Sequence, residues 1–250
     1  MSKAIKERGF QPRFYRDWMK PEGLHSRRIT VYETDLQVIT DILPDYEDCE
    51  RRVVALRGDI CGYIKRDDRF LTALEPLRLL PGAAPLVRCM ASAGRKAGVG
   101  PMAAVAGAIA EALGRYLLSK GCREVIVENG GDIFLAGRAQ RRVGIFPGRD
   151  LHCWRDLAIK VSAEDMPLGI CTSSGTFGHS FSLGHADSAV ILAPDAALAD
   201  AAATAVCNRV GSAEDMEEAL AFGRSIRGIS GIVIICGNKL ASWGKVELIS

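Results

Sequence analysis

The order of strand-like and helical segments is the feature of this sequence that most restricts its fold. The second half consists largely of short apolar segments that end at turn residues, and the Asn129-Gly130 pair is typical of a β-hairpin. Strands are predicted at 124–128, 133–136, 142–146, 157–161, 168–171, 187–192, 231–236 and 240–248. They do not alternate regularly with helices. The order therefore predicts an α+β fold with largely antiparallel sheets packed with long helices.

The first half adds one hairpin and most of the helices. Strands at 27–33 and 36–40 are predicted around a turn at Thr34-Asp35. Apolar residues at helical spacing predict helices at 45–65, 86–97, 102–120 and 196–210, and one that ends near residue 225. Asp45 is the expected N-cap of the first helix, and Ser212 with Asp215 forms a capping box for the last. No internal repeat or internal domain boundary is evident, so residues 27–250 are predicted to form a single domain.

The N-terminal segment, residues 1–26, is predicted to be a basic arm. The first thirty residues hold eight Lys or Arg against three Asp or Glu, whereas the whole chain has a formal net charge of only +2. A solvated tail is the favoured interpretation, and contact with an acidic partner or a membrane surface is the alternative. No nucleic-acid partner is predicted.

The eight cysteines predict a reduced protein without a metal cluster. No two cysteines lie within ten residues of each other, so the spacings of zinc and iron–sulfur sites do not occur. The N-terminal residues lack the apolar core of an export signal, and no apolar run appears long enough to span a bilayer. Free thiols and a cytoplasmic location are therefore expected.

An acidic residue and a hydroxyl residue near the end of the sequence predict a metal site. Asp200 and Thr204 are four residues apart, which places them on one face of the predicted helix. A carboxylate and a hydroxyl are hard oxygen ligands of the kind that Mg²⁺ prefers. Two glycine-containing turns could bring backbone N–H groups against phosphate. Their residues are Asn129, Gly130, Gly131 and Asp132 in the first, and Thr172, Ser173, Ser174, Gly175 and Thr176 in the second.

Small residues form one face of the predicted helix 102–120, with Gly107 at its centre. A face without large side chains lets a sheet or a flat ligand approach the backbone closely. Close packing against the sheet is the favoured interpretation. Direct contact of Gly107 with a cofactor is the alternative.

The motifs Gly-Gly-Asp at 130–132, Thr-Ser-Ser-Gly at 172–175 and Ala-Asp-x-x-x-Thr at 199–204 occur in the order that the ApbE superfamily shows. The sequence resembles the shorter ApbE-related branch found mainly in anaerobes and archaea. The resemblance implies a site for Mg²⁺ and FAD or FMN, with Asp200 and Thr204 as metal ligands. It also implies transfer of FMN to the hydroxyl of an acceptor protein. The His-Ile-Ile-Asp-Pro segment of the transferases is replaced by a different sequence that begins at His179.

Two hypotheses of different classes follow. The first is a Mg²⁺-dependent flavin-nucleotide enzyme, in which Asp132 orients a ligand or nucleophile and His179 is a candidate base. The second is a sulfur-carrying protein on an ApbE scaffold, linked by the resemblance to sulfur assimilation. It assigns Cys171 a cleft-facing thiol with a lowered pKa that holds a persulfide. The sequence does not indicate the oligomeric state.

Overall fold

The computed structural model describes residues 23–146, 152–154, 156–175, 184 and 186–250. The strands are β1 (His25–Val31), β2 (Thr34–Thr40), β3 (Val125–Asn129), β4 (Asp132–Ala136), β5 (Arg141–Gly144), β6 (Ala158–Val161), β7 (Leu168–Ser173), β8 (Ser188–Ala193), β9 (Gly231–Cys236), β10 (Lys239–Gly244) and β11 (Glu247–Ile249). The helices are α1 (Tyr46–Ile64), α2 (Arg69–Thr72), α3 (Pro85–Ala97), α4 (Val105–Ser119), α5 (Ala196–Cys207) and α6 (Met216–Ser225).

The strands form two antiparallel sheets. The larger sheet has eight strands in the order β1-β2-β3-β4-β7-β8-β9-β10, and the smaller has three in the order β11-β6-β5. Helices cover one face of the larger sheet, where Phe134 and Ile191 join the main core. The smaller sheet covers the other face, where Ile133 and Ile170 contact a second apolar cluster with Ile159. This architecture confirms the predicted α+β fold with antiparallel sheets.

Helix α5 is enclosed by the rest of the fold. It contacts α3, α4 and α6 on the helical side and β7 and β8 of the sheet. Two glycines allow its N-terminal end to approach both layers. A Cβ atom on Gly107 of α4 would lie 2.3 Å from the carbonyl oxygen of Ala196, and one on Gly169 of β7 would lie 2.4 Å from the Ala196 Cα. The small residues of α4 thus serve close helix–helix packing at Gly107, whereas Gly114 makes the expected close approach to the sheet at Phe134.

Several predicted boundaries are wrong for identifiable reasons. The first hairpin turns at Tyr32-Glu33, where Tyr32 has a φ of 53°, so Thr34 and Asp35 belong to β2. The predicted strand 240–248 is divided into β10 and β11, which lie in different sheets. The division occurs at Gly244, which has a φ of 84° and whose Cβ would lie 2.2 Å from the Ser230 carbonyl oxygen. Only glycine is easily accommodated there.

One segment also contradicts the expectation that no apolar run could span a membrane. Pro101–Ser119, a 3₁₀ turn followed by α4, is long and apolar enough by length and composition, and half of it is buried in the fold. Its residues Leu113 and Leu117 are buried in the main core. It also carries Glu111, which pairs with Arg115 at 2.6 Å. In this fold the segment is a core helix.

Candidate functional site

Asp200 is held at the N-terminal end of a neighbouring helix. Its Oδ2 atom accepts a hydrogen bond of 2.9 Å from the backbone N–H of Gly107, the third residue of α4. The first N–H groups of a helix have no partner within that helix and carry its positive dipole end. Asp195 is the N-cap of α5, and Asp200 is the fifth helical residue. Asp200 therefore lies just beyond the first turn of its own helix.

Asp132 faces the helical layer from the first position of β4. It lies two residues before Phe134 and therefore on the same face of the sheet. The register pairs Ile133 with Ile170 and so brings Asp132 opposite Cys171. The side chain is buried, and its Oδ1 atom has no hydrogen-bond partner among the described residues. An acceptor that is buried without a partner is expensive for the fold.

The two carboxyl groups perturb each other. Burial raises the pKa of Asp132 well above its ordinary value, and the nearby Asp200 raises the same pKa further. Burial raises the pKa of Asp200 to about 7, against the opposing effect of hydrogen bonds from the backbone of Gly107 and Ala106. No Lys or Arg is among the described groups that offset either shift. Within the described part of the chain, the two acids are thus buried together without a Lys or Arg partner.

The Gly-Gly turn is attached to the same helix end. Asn129, at the end of β3, donates a hydrogen bond of 3.1 Å from Nδ2 to the carbonyl oxygen of Ala106. Gly130 and Gly131 have φ angles of 71° and 103°, which glycine adopts without strain. The Gly131 N–H donates to Glu128 Oε1 at 2.8 Å. The predicted site residues 129–132 and Gly107 therefore meet Asp200 in one place.

The Thr/Ser/Gly segment begins inside a strand instead of a loop. Thr172 and Ser173 belong to β7, where Ser173 pairs with Ala189 of β8. Alternation puts Ser173 on the helical face with Cys171, and Thr172 on the opposite face with Ile170. The Ser173 Oγ is buried and has no partner among the described residues. These two residues therefore cannot hold one ligand from the same face of the sheet.

The remaining predicted residues differ in how far the structure describes them. Ser174 and Gly175 follow β7, and the Gly175 N–H donates to the Ala186 carbonyl oxygen at 2.9 Å. Thr176 and His179 lie outside the described residues. Thr204 is half-buried on α5, one turn beyond Asp200 and on the same face.

Cys171 does not have the properties that the sulfur-carrier hypothesis requires. Its side chain is fully buried, and its Sγ lies 3.3 Å from the Ala196 carbonyl oxygen. The thiol is also within hydrogen-bonding reach of Asp132, so its single proton has two competing acceptors. Burial and the carboxyl groups of Asp132 and Asp200 raise the pKa of this thiol well above its ordinary value. The prediction of a cleft-facing thiol with a lowered pKa is wrong.

Sequence reasoning missed Glu111, which fixes the approach of α5 to α4. Its Oε2 accepts a hydrogen bond of 2.7 Å from the Ala196 N–H at the start of α5, and its Oε1 pairs with Arg115. The available signal was a lone acid in an otherwise apolar helical segment, with an Arg four residues later. Such an acid needs partners when it is buried.

The donor set around Asp200 fits a hard divalent cation. Asp132, Asp200 and Thr204 offer carboxylate and hydroxyl oxygens, which suit Mg²⁺. The orphaned Oδ1 of Asp132 is an acceptor that a cation would satisfy. Among the residues that the structure describes, no group of three or more His, Cys, Asp or Glu could hold a metal. Water, backbone or ligand oxygens would therefore complete the coordination.

Comparison with solved structures identifies the fold. The flavinyl transferase ApbE of Pseudomonas stutzeri, in its apo form, superposes with a TM-score of 0.57 at 16% identity, over 89% of this chain and 94% of that one. The flavin transferase ApbE of Vibrio cholerae gives a TM-score of 0.56 at 13% identity, over 88% of this chain and 97% of that one. At these identities the likeness concerns the fold alone.

Sequence comparison identifies the family. A UPF0280 protein of Methanocella arvoryzae is 38% identical over 92% of this chain and 94% of its own length. A UPF0280 protein of Methanopyrus kandleri is 38% identical over 89% of this chain and 91% of its own length. The profile of the family described as "AbpE bacteria" matches residues 16–248. The chain therefore belongs to this ApbE-related family, and it is similar over most of its length to UPF0280 proteins.

Proposed function

We propose that this protein binds a flavin nucleotide, FAD or FMN, together with Mg²⁺, and transfers FMN from FAD to a hydroxyl group of an acceptor protein in the cytoplasm. The observation that carries the proposal is the buried pair of Asp132 and Asp200, placed where the N-terminal end of α4 meets the Gly-Gly turn. Two acids buried together, with no cationic side chain beside them among the described residues, favour a cationic ligand. The names of the solved ApbE structures suggest which nucleotide accompanies it.

The described residues have distinct parts in this proposal. Asp200 and Thr204 hold the cation, and the Gly107 N–H fixes the orientation of the Asp200 carboxylate. When bound, Mg²⁺ would neutralise developing charge on the pyrophosphate. In the reaction the acceptor oxygen forms a bond to the FMN phosphorus, the pyrophosphate P–O bond breaks, and AMP leaves. The assignment of His179 as the group that takes the hydroxyl proton remains a sequence prediction.

In this proposal Gly107 lets α5 pack closely against α4 and does not contact the flavin. The backbone of Ala196 and the Cβ of Asp200 occupy the space that a side chain of residue 107 would take, so no space is left there for a ligand. The Ser173 hydroxyl, by contrast, faces the same side of the sheet as Asp132 and has no hydrogen-bond partner in the described part of the chain. It is the described member of the Thr/Ser/Gly segment that we expect to contact the nucleotide.

Calorimetric titration of FAD and FMN, with and without Mg²⁺, tests the proposal. We expect saturable binding that requires Mg²⁺ and becomes at least about tenfold weaker in Asp200→Asn. Loss of a residue that only orients a metal ligand already lowers metal affinity about 10–100-fold, and Asp200 is proposed to be a ligand itself. Asp195→Asn is the matched control. It alters a carboxylate at the start of the same helix, where Asn also serves as an N-cap.

Release of AMP from FAD, measured by chromatography, extends the test from binding to chemistry. Failure of the wild-type protein to bind either flavin nucleotide in the presence of Mg²⁺ would refute the proposal. Binding that survives Asp200→Asn unchanged would refute the assignment of the metal site. Cys171 does not favour the sulfur-carrier alternative, because it is buried and its pKa is raised.

A further inference from the structure

The two acids of the buried pair differ in how fully the fold satisfies their oxygens. Asp200 is anchored by the N–H of Gly107 at 2.9 Å, as a structural carboxylate would be. Asp132 is buried more completely than Asp200, yet its Oδ1 has no hydrogen-bond partner among the described residues. Burial of a carboxylate in this way lowers the stability of the protein when no ligand is bound. Its unpartnered oxygen, close enough to Asp200 to sense its charge, therefore calls for a partner beyond the described side chains.

Nearby cationic side chains are already occupied. Arg115, on the helix that supports the site, lies over the ring of Phe134 at 5.5 Å and pairs with Glu111 at 2.6 Å. Lys or Arg does not contribute to the described environment of either Asp132 or Asp200. The described side chains therefore supply no positive charge to the pair, whereas a bound cation or a proton shared between the two carboxylates would supply it.

A second orphaned group lies on the same face of the sheet. Ser173 is two residues beyond Cys171 on β7, and Cys171 lies opposite Asp132. Its Oγ is buried and lacks a described partner. A shared proton would satisfy the carboxylates but would leave this hydroxyl unsatisfied. A hydrated cation would satisfy both, because the carboxylates bind the ion and its bound waters donate hydrogen bonds to the hydroxyl oxygen.

We propose that Asp132 is itself a ligand of the cation held by Asp200 and Thr204, and that the site therefore binds Mg²⁺ before any nucleotide arrives. This inference rests on the cation site of the proposed function and adds a second carboxylate to it. Two carboxylates and a hydroxyl bind a divalent cation more tightly than one carboxylate and a hydroxyl, because affinity rises with ligand charge. The nucleotide then meets a preformed cation.

The first experiment uses the metal alone. Purified full-length protein is titrated with Mn²⁺, as a paramagnetic substitute for Mg²⁺, in the absence of any nucleotide. We expect one high-affinity ion per chain, competed by Mg²⁺, and binding at least about tenfold weaker in Asp132→Asn. Asp195→Asn and Cys171→Ala are the matched controls. The first alters a carboxylate outside the pair, and the second removes the thiol next to Asp132 while leaving its carboxylate in place.

A second measurement does not depend on any variant folding. Wild-type protein containing aspartate labelled with ¹³C at the carboxyl carbon is loaded with Mn²⁺ and examined by electron–nuclear double resonance. Two directly bound carboxylate carbons are expected if Asp132 and Asp200 are both ligands. A single bound carboxylate would overturn the inference, as would Mn²⁺ affinity that is unchanged within twofold in Asp132→Asn.

These outcomes are separable from those of the proposed function. If two carboxylates bind Mn²⁺ but no flavin nucleotide binds, the inference stands and the flavin function fails. If Mg²⁺-dependent flavin binding occurs with only one bound carboxylate, the flavin function stands and the role of Asp132 is refuted. If no cation binds at all, the pair holds a shared proton, and the inference is overturned.

Discussion

Substitution of Gly107 by Ala tests the packing that places Asp200 beside α4. A Cβ at this position would lie 2.3 Å from the carbonyl oxygen of Ala196 and 2.9 Å from the Cβ of Asp200. Both neighbours belong to α5, and the nearer one is a backbone atom that cannot rotate away. The extra methyl group must therefore push α4 and α5 apart. The hydrogen bond from the Gly107 N–H to Asp200 would lengthen or break as a result.

The expected cost follows from three contributions. Overpacking of a well-packed core costs about 1–3 kcal/mol. Loss of a hydrogen bond to a charged group costs about 1.5–3 kcal/mol. The higher helix propensity of Ala returns about 1 kcal/mol. We therefore expect Gly107→Ala to lower the free energy of unfolding by about 1.5–5 kcal/mol, a fall in Tm of about 3–20 °C for a chain of this size.

Gly58→Ala is the matched control for this prediction. Gly58 also lies inside a helix, α1, but a Cβ there would meet no atom within 4 Å. The same substitution should stabilise the protein by about 0.4–1 kcal/mol. Urea unfolding followed by circular dichroism measures both effects. Equal stability of the two variants would show that α4 and α5 are not in close contact at Gly107, and the proposed anchoring of Asp200 would then be wrong.

Three further predictions concern residues outside the acidic pair. Asp45→Ala should destabilise the protein by about 0.5–2 kcal/mol in a urea melt, because the Asp45 side chain caps α1, whereas Asp45→Asn should have little effect. Glu111→Ala should cost about 1–3 kcal/mol by leaving the Ala196 N–H unsatisfied, and Glu111→Gln, which keeps an acceptor, should cost less. Burial raises the pKa of Cys49 to about 11, so about one thiol in a thousand is ionised at pH 8. Its alkylation, followed by mass spectrometry, should lag far behind that of the exposed Cys61 and accelerate about tenfold per pH unit below pH 11.

Local signals predicted the starts and ends of elements well. Asp45 caps α1 through its side chain, as expected from its position before a helical pattern. Gly98 follows α3 with a left-handed φ of 74°, and Pro101 opens the turn that leads into α4. The predicted hairpin at Asn129-Gly130 forms between β3 and β4, with Gly130 and Gly131 as its two turn residues and Asn129 as the last residue of β3. Each of these features depends on the backbone preferences of one or two residues, and such local preferences can be predicted from residue type alone.

Features set by distant partners could not be predicted in the same way. The end of β7 depends on its pairing with β8, which extends it to Ser173 and assigns Thr172 and Ser173 to opposite faces. The burial of Cys171 depends on how closely α5 approaches the sheet at Ala196. Spacing within one segment contains no information about either contact. The spacing of Asp200 and Thr204 was readable, but the strand register that places Asp132 opposite Cys171 was not.

The enclosure of α5 has a consequence for how ligand binding can be observed by hydrogen exchange. Helices and strands surround α5 on several sides, so its amide protons should exchange only when the whole domain unfolds. A ligand that binds through Asp200 would lower the population of that globally unfolded state. Slowing would then extend to every amide that shares this global opening, including those of β8 and β9, and would not form a footprint around the ligand.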